Sequence, residues 1–141
     1  MNKLDLGVAR AILDGAIRCA REQNYKPMGV VVLDAAGDPI ASLREDGASA
    51  LRLDIAAGKA GACIGMGSNS RALAERAASL PAFFATIANA SSRKFIPQTG
   101  AVLIVGADGA VLGAAGASGG TSDEDETIVK AGIEAAGLRH A

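Results

Sequence analysis

Apolar residues recur at helical spacing from Leu4 to about Gln23, with Val8, Ala9, Ile12, Leu13, Ala16, Ile17 and Ala20 on one side. Arg10, Asp14, Arg18, Arg21 and Glu22 take the other. The pattern predicts an amphipathic helix lying on a sheet. Asn24 and Pro27 close it, and the continuous β-branched run over 28–33 reads as a strand buried on both faces. Asp34-Ala35-Ala36-Gly37-Asp38 is turn chemistry, so residues 39–44 return as the partner strand of a hairpin. Residues 102–105 and 110–115, joined through Ala107-Asp108-Gly109, repeat that grammar as a second hairpin.

Helical patterning fills the stretch between the hairpins. Residues 50–66 form a broad apolar face interrupted by Gly58 and Gly61, which invite close packing, and Gly65 and Gly67 end the helix. Residues 70–78 make a shorter helix, and Pro81 opens another through Phe83, Phe84 and Ile87. Residues 94–98 are expected to add a short edge strand, where Pro97 is tolerated. Thr121 with Glu124 forms a capping box, and the carboxylates at 123–126 complement the dipole of a final helix that Gly137 stops. The last four residues read as a frayed tail. Two strand pairs separated and flanked by helices indicate an antiparallel sheet with helices packed on it, an α+β fold of one domain over 1–141.

Composition sharpens this picture. Half of the 141 residues are hydrophobic but only 3% are aromatic, so the core must be built from Ala, Val, Leu and Ile. Such small side chains limit what a monomer buries, which points to a homo-oligomer. The net charge of −1 is well mixed, with no basic run for nucleic acid and no apolar span for a membrane. A soluble cytoplasmic protein is the expectation. Cys19 and Cys63 fit neither a zinc knuckle nor a redox pair and read as small buried thiols.

The stretch from Gly113 to Gly132 is the most distinctive, because an apolar strand runs into backbone almost free of side chains before the capped helix. Something approaches that backbone closely. Gly116-Ala117-Ser118-Gly119-Gly120 satisfies the G-x-S-x-G pattern, but the lone histidine, His140, stands next to the end and leaves a triad without a base. Ser91-Ser92-Arg93-Lys94 matches S-x-x-K without its companion motifs. The acids at 123–126 lack the alternate spacing of a calcium loop, and no glycine set gives G-x-G-x-x-G. The remaining candidates are Arg44, at a strand end, with Asp54 and Lys59 on a helix of buried composition. Such charges are paired, exposed or functional.

Several stretches together resemble the GlcG/HbpS family, described as haem-degrading or haem-binding domains and also as the C-terminal domain type of PduO. They are the opening Leu-Asp-Leu-Gly-Val-Ala-Arg-Ala-Ile-Leu, the Val-Val-Val-Leu-Asp-Ala-Ala-Gly-Asp hairpin, Arg44 with Asp46-Gly47-Ala48, Asp54-Ile55-Ala56 with Lys59-Ala60, and the ending from Gly113 to Glu126 with Ala131-Gly132. The resemblance covers essentially the whole chain. It implies a profilin-like, five-stranded antiparallel sheet with packed helices, a homo-oligomer, and a binding function that in some members concerns haem or corrinoid-related ligands.

Two departures bear on the ligand. An iron site draws on His, Cys, Met or Tyr, and this chain offers His140, the two cysteines, Tyr25 and three methionines. Where the family often has Gly-Gly-x-Pro-Ile, this chain reads Ile96-Pro97-Gln98-Thr99-Gly100, presenting hydrogen-bonding groups instead. The expectation is a small-ligand-binding protein, with haem a candidate cofactor but a small polar molecule the better match. Its site is placed at Gln98, Thr99, Gly100, Gly116, Ser118 and Gly119 beside Arg44 and Lys59. The rival is a cofactor-independent isomerase, tautomerase or lyase for a small acid, with Lys59 and Arg44 holding a carboxylate while Asp54 or Glu126 moves a proton.

Overall fold

The structure, a computed structural model, describes residues 3–141. Helix α1 (Leu6–Glu22) is followed by the hairpin β1 (Gly29–Asp34) and β2 (Pro39–Arg44). Three helices come next, α2 (Leu51–Met66), α3 (Ser70–Ser79) and α4 (Pro81–Ala90). A second hairpin, β3 (Ala101–Val105) and β4 (Val111–Ser118), leads to α5 (Ser122–Ala135) and the short β5 (Arg139–His140). The five strands form one sheet in the order β2-β1-β4-β3-β5, every neighbouring pair antiparallel. The expected α+β architecture is therefore present, with the two hairpins joined through β1 and β4.

Alternation along the strands divides the core between the two faces of the sheet. Val30, Val32, Val102, Ile104, Ala115 and Ala117 point to α1 and α5, while Val31, Leu33, Leu103 and Ala114 point to α2. Both β1 and β3 are covered on both sides, which is why each reads as an unbroken apolar run. Small residues let the layers close up. Gly132 lies against Ile12 of α1, and a side chain there would strike the Ile12 carbonyl. A satellite cluster of Ala62, Leu73 and Phe84 holds α3 and α4 to α2.

The fifth strand is not where the sequence pattern places it. Residues 94–98 form no strand; they cross α2, with Ile96 donating its N–H to the Gly58 carbonyl at 3.0 Å. Gly58 and Gly61 have no side chain because Ile96 and the Lys94 carbonyl occupy that space. The chain end supplies the strand instead, with His140 opposite Ile104 and Arg139 opposite Val105. The rest of that edge is closed by side chains: the Ser70 hydroxyl accepts from the Gly100 and Ala101 amides, both at 2.9 Å, and the Asn69 carbonyl oxygen accepts from Leu103 at 2.8 Å.

Candidate functional site

The capping box of α5 forms as the sequence predicts, with Thr121 Oγ1 accepting from Glu124 N at 3.2 Å and Glu124 Oε1 accepting from Thr121 N at 2.9 Å. The neighbouring acids then diverge around the helix. Asp123 faces Arg71, and Glu126, only 8% exposed, is bound by Arg71 at 3.1 Å and Lys130 at 3.3 Å. Asp125 turns inward to Lys59, whose Nζ lies 3.0 Å from Oδ2 and also donates to the Ala117 carbonyl at 3.1 Å. Asp125 Oδ1 accepts from Gly120 N at 3.0 Å. Burial raises the Asp125 pKa above its ordinary value, although Lys59 and Gly120 oppose the shift. Charge is held here between α2, β4 and α5, in a fully bonded knot with neither carboxylate oxygen unpartnered.

The residues expected to form one site are dispersed. Arg44 is exposed at the end of β2 and donates to the Ala48 carbonyl, and Asp54 is exposed and paired with Lys94 at 2.6 Å. Lys59 is buried in the knot. None of Arg44, Asp54, Lys59 and Glu126 lines either of the two clefts described below. Gln98 is exposed and donates to the Ser122 hydroxyl at 3.0 Å, while Thr99 and Gly100 are buried, Gly100 beside the Lys59 ammonium. A Cβ at Gly100 would stand 2.6 Å from Lys59 Nζ.

The glycines of the closing motif also receive a physical reason different from the expected one. A Cβ on Gly116 would lie 2.4 Å from the Ala56 carbonyl oxygen, and one on Gly119 would lie 2.2 Å from that of Pro27. What approaches this backbone is the chain itself, so Gly116 leaves no room for a guest. Of the two cysteines expected to be buried, Cys63 is, and burial pushes its thiol up to about 12; Cys19 is only half-buried, though desolvation raises its thiol too.

Two clefts remain. The larger, of about 590 Å³, opens between the β1–β2 turn, α2 and the segment after α4. Leu33, Ala57, Ile64 and Phe95 give it apolar walls, and Gly61 and Gly65, each one turn on from Ala57 and Gly61, flatten its floor. Arg93 and Lys94 stand at its rim; Arg93 is tied to Asp38 at 2.6 Å and to the Gly37 carbonyl at 2.9 Å. The smaller cleft, of about 350 Å³, lies at the opposite end of α2, between Arg52, the 24–26 loop and Gly119–Gly120. Neither Arg52 nor this geometry stood out in the sequence.

Comparison with known proteins bears on what these clefts serve. Residues 4–134 match the family model described as "Haem degrading protein HbpS-like". The chain belongs to this family. A double mutant of Streptomyces reticuli HbpS is 27% identical with a TM-score of 0.81, covering 95% of this chain and 87% of that one. The fold is shared with a PduOC–heme complex, at 21% identity, a TM-score of 0.84 and 96% coverage of both chains. It is shared too with the Klebsiella pneumoniae protein ORFY, at 19% identity and a TM-score of 0.85, covering 97% and 92%. No curated protein matches the sequence. Among the described residues, no helix is long and apolar enough to cross a membrane.

Haem, the group this family implies, fits the larger cleft in part. Apolar walls and a rim of Arg93 and Lys94 suit a flat ring with acidic arms. The iron is not provided for: no His, Cys, Met or Tyr lines that cleft. His140 sits on β5 and bonds Glu134 at 2.8 Å, and Cys63 and Met28 are buried in the core.

Proposed function

We propose that this HbpS-family protein is a ligand-binding protein that takes a flat, mainly apolar, carboxylate-bearing molecule of the haem class in the cleft between the first hairpin and α2, and holds it by its ring and acidic groups rather than through iron. The observation that carries the reading is the cleft of about 590 Å³ with apolar walls and two cations at its mouth. The Arg93–Asp38 and Lys94–Asp54 pairs are more than half exposed, and such pairs contribute little to stability. A ligand carboxylate can replace either partner acid at small cost. The family's haem-degrading description and the haem bound in the PduOC complex support a ligand of this class.

Titration with hemin and with metal-free protoporphyrin, followed by absorbance and fluorescence, tests the reading. Both are expected to saturate with affinities within a few-fold of one another, because the cleft contributes no iron ligand. Gly65→Leu, whose side chain enters the cleft beside Phe95, with the nearest atom 3.9 Å from its Cβ, is expected to weaken both at least tenfold while leaving the fold intact. Hemin binding far tighter than the metal-free ring, or insensitivity to Gly65→Leu, would assign the ligand elsewhere.

A further inference from the structure

Arg52 opens α2 on the face that presses against the start of β1. Gly29 is opposite Ser118 in the sheet, and a Cβ on Gly29 would lie 3.0 Å from the backbone of Arg52. The missing side chain lets the first turn of α2 settle over that strand pair. Arg52 Nη1 then reaches the Ser118 hydroxyl at 3.2 Å. This is a neutral partner. Arg52 is half-buried, yet no carboxylate lies within ion-pair distance of it among the described residues.

A guanidinium taken partly out of water ordinarily gains a carboxylate or phosphate in a bidentate fork. The nearby acids are committed elsewhere. Asp125 feels the Arg52 charge from beyond ion-pair distance, but both its oxygens are bound to Lys59 and Gly120, and Glu124 accepts from Thr121 N through Oε1. Arg52 instead faces the cleft of about 350 Å³, together with the exposed Lys26, Tyr25 and the bare backbone of Gly119 and Gly120. The cleft carries two cations against the single acid Glu124.

From this we infer that the Arg52 cleft is a second binding site, distinct from the apolar one, for a small organic carboxylate. One carboxylate takes the Arg52 fork, and Lys26 at the opening attracts it or a second acidic group. Gly119 and Gly120 form the wall opposite Arg52; Met28 and Glu124 pack where their side chains would stand, so the ligand meets Glu124 on that side. The site depends on Ser118 and Gly119 but owes nothing to Arg44 or Lys59.

Succinate and acetate, titrated at low ionic strength by calorimetry and by amide chemical shifts, decide the matter. Saturable binding is expected, with the largest shifts at Gly119, Gly120 and Thr121 and an affinity that falls as salt is added. Arg52→Met is expected to weaken succinate at least tenfold, Arg52→Lys less, and the exposed Lys26→Gln several-fold. Lys26→Gln and the shift map keep the test decisive if Arg52→Met does not fold. No saturable binding up to about 10 mM, or an affinity in the Arg52 and Lys26 variants unchanged from the wild type, overturns the site. Porphyrin binding should be the same in Lys26→Gln as in the wild type, so this site and the apolar cleft stand or fall separately.

Discussion

Lys59 Nζ lies 3.0 Å from Asp125 Oδ2, and both side chains are almost wholly buried, at 4% and 3% exposure. The pair bridges the two faces of the sheet at its central strand, because Lys59 comes from α2, Asp125 from α5, and Lys59 also grips the Ala117 carbonyl of β4. Gly100 is without a side chain where the ammonium lies. The arrangement fixes how the helix layers meet across the strands.

Removing one partner strands the other charge in the core. Lys59→Met is expected to destabilise the fold by about 3–5 kcal/mol, measured by urea unfolding. Replacing both, as Lys59→Met with Asp125→Leu, should recover most of that loss, since an apolar pair of similar volume leaves no uncompensated charge. A double variant as unstable as the sum of the two single ones would show that the pair is not coupled.

The pH dependence of that loss has a definite sign. Burial raises the Asp125 pKa above its ordinary 3.8. An acid whose pKa rises on folding holds its proton more tightly in the native state, so its stabilising effect is present below the unfolded value and is lost as pH rises through the folded one. In Lys59→Met the cation opposing this shift is gone. The deficit relative to wild type should therefore be greatest at neutral pH, shrink as pH falls through the raised values, and level off once Asp125 is protonated in both proteins. A deficit that does not change with pH would mean that Asp125 is not the group left charged.

Much of this was legible in the sequence, and the parts that were not have physical reasons. The two hairpins, α1 and the Thr121–Glu124 box were readable because each is specified locally by period or turn chemistry. The pair was half readable. Asp125 stands one turn before Ile128 and Val129 on the buried face of α5, and Lys59 lies among Ala56, Ala60 and Cys63 on that of α2. Two isolated opposite charges on buried faces have to meet. Lys59 is conspicuous for this reason, whereas Asp125 is hidden among four acids for which capping is explanation enough. The fifth strand was misplaced because Arg139–His140 carries no strand pattern and is made a strand only by β3 beside it. Arg52 gave no signal either, since its meaning depends on Gly29 and Ser118 meeting in the sheet.

Ser70 closes the open edge of β3. Its hydroxyl accepts from the amides of Gly100 and Ala101 and donates to the Ala101 carbonyl at 2.7 Å, fully buried. Ser70→Ala leaves two buried amides without an acceptor, at about 1–3 kcal/mol each. A loss of at least about 2 kcal/mol in chemical unfolding is expected, with faster hydrogen exchange at those two amides. A loss under about 0.5 kcal/mol, with exchange unchanged, would show that water or another group replaces the hydroxyl.

Gly116 and Gly65 separate a glycine the packing requires from one it does not. In β4, a Cβ on Gly116 would meet the Ala56 carbonyl oxygen at 2.4 Å and the Ala60 methyl at 3.2 Å, both fixed parts of α2. Neither can yield without lifting the helix from the sheet, so Gly116→Ala is expected to cost at least about 1–3 kcal/mol. On α2, the contact nearest a Cβ at Gly65 is Phe95 at 3.9 Å, and the position is exposed. Gly65→Ala should instead stabilise by up to about 1 kcal/mol, because a helix gains from losing a glycine. Thermal unfolding of the two variants should shift in opposite directions. If Gly116→Ala were neutral, α2 would not be seated on β4 as described, and the closing motif would again offer room for a ligand.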